Sequence, residues 1–404
     1  MKGNFRIIDS DIHVQEPTIG GDFLNEYLDK QYQNRIKIYN ASPPGQVNWT
    51  VIEIDGRIYR RGRQANAGGI QKLKQRKPPP YAFQDLTAAD HLRGMDVEGI
   101  DVGVVFPSYG LSIVGECIED VSPDLGNALA RSYNNWMHDF CSANPARLKP
   151  TAIVNYCDPL NAALEARRAV EELGAVALYA SCNAPALRPY HEPFYDPLWA
   201  ELERLGVPVC FHPAGSHKEI IPRLSGRTGT DTMEHAIKSP FLNAMNVASF
   251  TVGGVFERFP KLRAGFLESS ATWMVWLLWR LDDEVEWFGP GEGIDLKMKP
   301  SEYFRRQGWV ACEPDEDTLK YVVDYIGDES IVVSSDFPHP NSYYPEAMNR
   351  FMALPGISEE SKRKILWDNP IRLYDLNPET AQSRHDLGTK KLIAAEHPSS
   401  VATL

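Results

Sequence analysis

The chain has 404 residues, 43% hydrophobic and 24% charged, which supplies a large core and excludes a disordered polypeptide. Forty-two basic against 54 acidic side chains leave a formal net charge of −12 with no basic run, so neither nucleic acid nor an anionic membrane surface is an expected partner. No apolar stretch reaches the ~18 residues of a membrane span, the segment Met1–Arg6 lacks a signal-peptide core, and six cysteines without a CxxC pair suit a reduced, cytoplasmic protein.

Eight short apolar runs read as strands: Arg6–Ile12, Val102–Pro107, Thr151–Tyr156, Ala175–Ala180, Pro208–His212, Leu262–Glu268, Gly308–Cys312 and Ser330–Ser335. Several are apolar throughout, as parallel strands covered on both faces must be. Helical patterns fall between them. They cover Ser122–Ala143, with Ser122 as N-cap and Pro123 at the first helical position, then Asn161–Leu173, Tyr195–Leu205 and Thr232–Arg258. Thr272–Phe288, Asp315–Ile326 and Glu359–Asp368 complete the alternation. Trp273, Trp276 and Trp279 are expected to pack between helix and barrel. Eight βα units make an α/β protein of the (β/α)8 TIM-barrel class, and no GxGxxG follows the first strand to favour an open doubly wound sheet.

An insertion at about residues 20–90 separates the first two strands. Its Asp55-Gly56 step, inside Asn48–Arg60, marks a β-hairpin, Pro78-Pro79-Pro80 stiffens the return, and a helix is expected over Thr87–Met95. The barrel domain is expected to span residues 1–376. Residues 377–404 form a polar tail, and insertion and tail are the candidate contacts of a homodimer or higher homo-oligomer.

Reactive groups of this fold sit at the C-terminal strand ends. The first strand ends Asp9-Ser10-Asp11-Ile12-His13, and alternation puts Asp11 and His13 on one face. The fifth ends at His212, the sixth at Glu268 and the eighth at Asp336. Two imidazoles and two or three carboxylates, without a thiolate, would hold one divalent metal ion: Zn²⁺, with Mn²⁺ or Fe²⁺ as alternatives. Asp336, Glu268 and His235 are the candidate proton-transfer groups. His191, Arg93, His339 and Glu313 are candidate contacts of a small-molecule substrate.

The Asp9–His13 segment with Gln15-Glu16-Pro17, Gly206–His212, Gly253–Pro260, Glu268–Trp273, Ser335–Pro340 and Asn369–Tyr374 together resemble amidohydrolase-related proteins. The branch in question includes aminocarboxymuconate semialdehyde decarboxylase and the resorcylate and carboxyvanillate decarboxylases. The resemblance implies a barrel with a metal bound by the first-strand pair (here Asp11 and His13), His212 and Asp336. At the sixth strand this chain has Glu268 where those decarboxylases carry histidine. That departure makes a metal-dependent hydrolase, with activated water attacking a small carboxylated or ring-derived substrate, the first expectation. A non-oxidative decarboxylase of aromatic or ring-derived acids is the alternative. A catalytically silent ligand-binding barrel is the third reading.

Overall fold

The computed structural model describes residues 4–17, 23–40, 50–61, 86–114, 118–183, 188–213, 231–339 and 342–382. Among the described residues eleven strands are present: β1 (Ile8–His13), β2 (Ile36–Asn40), β3 (Thr50–Ile54), β4 (Arg57–Arg61), β5 (Val102–Phe106), β6 (Leu148–Ala152), β7 (Ala177–Ser181), β8 (Val209–His212), β9 (Ala264–Phe266), β10 (Gly308–Cys312) and β11 (Ile331–Val333). Eight of them form one sheet in the order β1-β5-β6-β7-β8-β9-β10-β11, every pair parallel. Their residues are buried along the whole length, which explains the continuous apolar runs. The principal helices are α1 (Ala88–Glu98), α2 (Pro123–Ser142), α3 (Pro159–Glu171), α4 (Asp196–Leu205), α5 (Asp231–Thr251), α6 (Trp273–Glu292), α7 (Pro300–Gln307) and α8 (Leu319–Ile326).

The sheet closes into a barrel because its first and last strands meet. Ile12 bridges Phe337, His13 N–H donates to the Phe337 carbonyl at 2.7 Å, and Asp336 N–H donates to the Asp11 carbonyl at 3.1 Å. The Asp9 carboxylate sews the same seam, its Oδ1 accepting from Ser335 N–H and Asp11 N–H, each at 3.1 Å. This seam lies directly beneath the strand ends that carry Asp11, His13 and Asp336.

The insertion contains the expected hairpin, extended to a three-stranded antiparallel sheet β2-β3-β4. Asp55 (φ 51°) and Gly56 (φ 76°) occupy its turn in the left-handed conformations that a two-residue hairpin requires. Pro78-Pro79-Pro80 and the tail beyond residue 382 lie outside the described residues. Helix α1 begins at Thr87, whose hydroxyl accepts from Asp90 N–H while Asp90 accepts from Thr87 N–H, a reciprocal cap.

Two expectations from the sequence are corrected. The third barrel strand is Leu148–Ala152 and not Thr151–Tyr156. Lys149 disguises its start, yet it is buried, with its ammonium donating to the Pro145 carbonyl at 2.7 Å. The apolar run continues past the strand because Asn134 of α2 takes over the pairing of Ile153, donating to its carbonyl at 2.9 Å and accepting from its N–H at 2.8 Å. The second correction concerns α6. Its buried face is Met274, Leu277 and Leu278, while Trp276 and Trp279 point outward and are more than half exposed.

Gly94 of α1 faces the Phe337 ring, which occupies the space where a Cβ would lie. Gly94→Ala would gain about 1 kcal/mol of helix propensity but force overpacking that costs about 1–3 kcal/mol. We expect a net loss of stability, read as a lowered denaturant midpoint at unchanged slope. Asp9 provides a pH test, because burial pushes its carboxyl up to about 8. The folded state thus favours the protonated acid, so its stabilising contribution is full below pH ~4 and is lost as the pH rises to about 8. In metal-free protein, wild type should lose stability relative to Asp9→Asn across that window, by at most about 1.4 kcal/mol per pH unit. A pH-independent difference would contradict this.

Candidate metal centre

Adjacent strand ends deliver the site. β1 carries Asp11 and His13, and β8 ends at His212. Glu268 lies two residues beyond β9, Glu313 one residue beyond β10, and Asp336 three residues beyond β11. The two imidazoles meet with their Nε2 atoms 3.1 Å apart. Asp11 spans both, with Oδ1 3.2 Å from His13 Nε2 and Oδ2 3.3 Å from His212 Nε2. Asp336 Oδ1 is 3.5 Å from His13 Nε2, and Glu268 Oε2 is 3.4 Å from His212 Nε2.

Hydrogen-bond bookkeeping fixes what these atoms are. His13 Nδ1 lies 2.9 Å from the Pro107 carbonyl and His212 Nδ1 lies 2.8 Å from the Pro213 carbonyl. A carbonyl only accepts, so each Nδ1 carries the hydrogen of its ring. In the neutral rings both Nε2 atoms then present lone pairs to each other, and Asp11 Oδ1, fully buried, has no hydrogen-bond donor. Such a cluster of donors requires a positive charge among them. Ligand atoms each about 2.1 Å from one ion stand roughly 3.0–3.4 Å apart, which is the spacing found here. Asp11, His13 and His212 therefore fit a divalent cation, with Asp336 and Glu268 flanking them.

In the metal-free protein a proton takes that place. Burial alone would lower the His212 pKa, but the Asp11 and Glu268 carboxylates outweigh it and hold the ring up at about 9. His13 moves the other way, depressed by burial and by neighbouring His339. For Asp11, burial is opposed by His212 and His13, and the net effect holds the carboxyl far below its ordinary range. Glu268 and Glu313 are both raised, first by burial and then by neighbouring carboxylates, Asp336 among them.

The surrounding groups constrain the loops. His339 accompanies Asp336, its Nδ1 2.6 Å from Asp336 Oδ1, its Nε2 3.2 Å from Ser108 Oγ and its ring stacked on His13 at 4.2 Å. Ser334 Oγ donates to Asp11 Oδ2 at 3.1 Å. Glu316 accepts from the backbone N–H of Ala271 and Thr272 at 2.9 and 2.7 Å and from that of Glu313 at 3.2 Å, tying the β9 and β10 loops together. From the other side Asn243 of α5 donates to the Leu267 carbonyl and to Ser269 Oγ. These clamps hold Glu268 (φ 46°) and Ser270 (φ 57°) in left-handed backbone, and Asp336 (φ 57°) shares it. That conformation costs about 1–3 kcal/mol per residue, so the surroundings must dictate it. Glu16 does the same for the β5 loop, accepting from the N–H groups of Ser108, Tyr109 and Gly110.

Two further sequence candidates, Arg93 and His191, part from this cluster. Arg93 is an exposed residue of α1 paired with Asp90, turned to solvent. His191 lies against α5, its Nδ1 3.2 Å from Ser249 Oγ, and its ring packs over Gly253. The backbone of His235 belongs to α5, and its side chain lies outside the described residues. Sequence reasoning passed over Ser108, Glu316 and Asn243, which carry no motif. Glu16, three residues past His13 in the Gln15-Glu16-Pro17 segment, had such a signal.

Comparison with known proteins agrees with the barrel fold. The chain is 29% identical over 265 residues to a gamma-resorcylate decarboxylase of Rhodococcus jostii (strain RHA1), covering 62% of this chain and 77% of the relative. It is 22% identical over 251 residues to a 2-amino-3-carboxymuconate-6-semialdehyde decarboxylase of Dictyostelium discoideum, covering 62% and 67%. Among solved structures, an amidohydrolase from Mycobacterium avium subsp. paratuberculosis K-10 superposes with a TM-score of 0.75 at 23% identity, covering 92% of this chain and all of that one (100%). A dihydroxybenzoic acid decarboxylase from Polaromonas sp. JS666, crystallised with manganese and the inhibitor 2-nitroresorcinol, superposes with a TM-score of 0.65 at 19% identity, covering 92% and 98%. The family model described as Amidohydrolase matches residues 72–376, well over half of the chain, and the protein belongs to this family of enzymes.

Proposed function

We propose that the protein is a metal-dependent non-oxidative decarboxylase of small hydroxylated aromatic or ring-derived acids. The observation that carries the reading is the pair of imidazole Nε2 atoms 3.1 Å apart, bracketed by Asp11, in a chain similar to gamma-resorcylate and 2-amino-3-carboxymuconate-6-semialdehyde decarboxylases. The hydrolase expectation rested on Glu268 replacing a histidine. Burial raises the Glu268 carboxyl above its ordinary range, the direction a proton-handling role at that position needs, and this weakens the ground for preferring hydrolysis. Asp11, His13, His212 and Asp336 would hold the ion, with Glu268 beside it. The carboxylate-rich oxygen and nitrogen set, and manganese in the Polaromonas structure, favour Mn²⁺ over the Zn²⁺ first expected. When bound, the cation neutralises the substrate carboxylate and an adjacent oxygen and so stabilises charge that builds on the ring.

The chain's own groups would do the rest. Asp336 is our proton carrier, because His339 at 2.6 Å links it outward through a half-buried ring that protons can reach. The proton passes to the ring carbon bearing the carboxylate. The carbon–carboxylate bond then breaks, its electron pair returns to the ring, and CO₂ leaves. Glu313 and Glu268 line the same mouth, and burial together with neighbouring carboxylates raises both carboxyls. No helix among the described residues is long and apolar enough to cross a membrane, and the five described cysteines are unpaired, which supports a cytoplasmic setting.

The Mn²⁺-loaded enzyme should release CO₂ from dihydroxybenzoates and incorporate one ring deuterium in D₂O. Chelation should abolish turnover and Mn²⁺ restore it. Asp336→Asn should lower kcat about 100-fold or more while the protein stays folded. Release of acid from amides or lactones, with no CO₂ from any aromatic acid, would return the assignment to a hydrolase.

A further inference from the structure

Three consecutive strand ends bring a carboxyl to one side of the mouth: Glu268 after β9, Glu313 after β10 and Asp336 after β11. Glu268 and Asp336 each face an imidazole of the metal centre, at 3.4 and 3.5 Å. Glu313 differs. Its backbone N–H is held by Glu316 at 3.2 Å, but among the described residues its half-buried carboxyl makes no hydrogen bond or ion pair.

Alternation along β10 gives the direction of that carboxyl. Val310 is in register with Phe266 of β9, and Phe266 packs outward, its ring centroid 6.0 Å from that of Phe304 in α7. Ala311 and, one residue past the strand, Glu313 therefore turn to the barrel interior. Electrostatics agrees, since after burial the groups acting on the Glu313 carboxyl are Asp336, Glu268, Glu316 and Asp11.

A half-buried carboxyl without a partner calls for a ligand group, and elimination names its chemistry. Among the described residues no trio of ligand atoms that includes Glu313 lies within 4.8 Å of one another, which argues against a second metal ion. A substrate carboxylate would meet three acids at adjacent strand ends. A divalent cation in the mouth favours the ionised form of Glu313, which only accepts, so an ether oxygen cannot pair with it. An O–H or N–H donor remains. We propose that Glu313 is the specificity-determining residue of the site, accepting a hydrogen bond from a hydroxyl or amino group on the substrate ring. It thereby rejects rings that present an ether or a second carboxylate at that place. The assignment rests on the reading of the site as a decarboxylase of ring acids, and it adds a donor that the metal does not hold.

Equilibrium binding to the Mn²⁺-loaded protein tests it, with nitro groups standing for the carboxylate so that no turnover occurs. The probes are the isomeric dihydroxynitrobenzenes, 2-nitroresorcinol among them. Each is compared with its mono-O-methyl ethers, its amino-for-hydroxyl analogues and the nitrophenol lacking the second oxygen. Wild type should bind its best diol at least tenfold more tightly than both the ether and the nitrophenol. The nitrophenol is smaller than the diol, so its weaker binding cannot come from bulk. An amino analogue that binds like the diol assigns the donor as N–H or O–H, and one that binds like the ether assigns it as O–H alone. The Glu313→Gln amide can both accept and donate. In that variant the diol and its ether should bind within about threefold of each other, with Mn²⁺ still loaded by electron paramagnetic resonance. Wild type that binds ether and nitrophenol as tightly as the diol, or that binds no diol at all, overturns the proposal. So does a Glu313→Gln variant with wild-type discrimination. CO₂ release from the dihydroxybenzoates is recorded separately. Discrimination without CO₂ sinks only the decarboxylase reading, and CO₂ without discrimination sinks only the role of Glu313.

Discussion

Two imidazole nitrogens that present lone pairs to each other at 3.1 Å, inside a ring of carboxylates, cannot remain so without a positive charge between them. The rest of the site can be read from that constraint. The Pro107 and Pro213 carbonyls fix the ring tautomers, Asp11 bridges the pair, and Ser334 orients Asp11. In metal-free protein the charge is a proton on His212. A divalent cation would replace that proton, so metal uptake and proton release are linked.

Holding such a cluster requires strand ends fixed to a fraction of an ångström. The closed parallel barrel does this by bringing residues more than three hundred positions apart, such as Asp11 and Asp336, into backbone hydrogen bonding. Loops that regular pairing cannot hold are fixed by buried side chains instead: Glu16 for the β5 loop, Glu316 and Asn243 for the β9 loop. Left-handed backbone at Glu268, Ser270 and Asp336 is tolerated because those clamps leave no alternative.

Much of this was legible in the sequence. Continuous apolar runs marked the parallel strands, and Asp55-Gly56 marked the hairpin. Alternation along β1 put Asp11 and His13 on one face, and the strand-end rule found His212, Glu268 and Asp336. The misses share a physical cause. A buried lysine hid the start of β6, and a side chain of α2 replaced the sheet at Ile153, neither of which leaves a periodic trace. Trp276 and Trp279 were assigned inward because hydrophobicity alone does not say which partner covers a side chain. Arg93 depends on the insertion folding over the mouth and His191 on the loop after the fourth strand, and their own neighbours, Asp90 and Ser249, draw them elsewhere. Glu316 and Asn243 act on backbone groups, a role that any acceptor or donor of the right length can fill and that no motif records.

The central claim is that one cation sits among His13, His212 and Asp11. Anomalous diffraction at the manganese edge, from crystals grown with Mn²⁺, tests it directly. The account requires a single strong peak within about 2.1–2.3 Å of both Nε2 atoms and an Asp11 oxygen. Crystals that bind no manganese there, with the two rings still face to face and sharing only a proton, would contradict it.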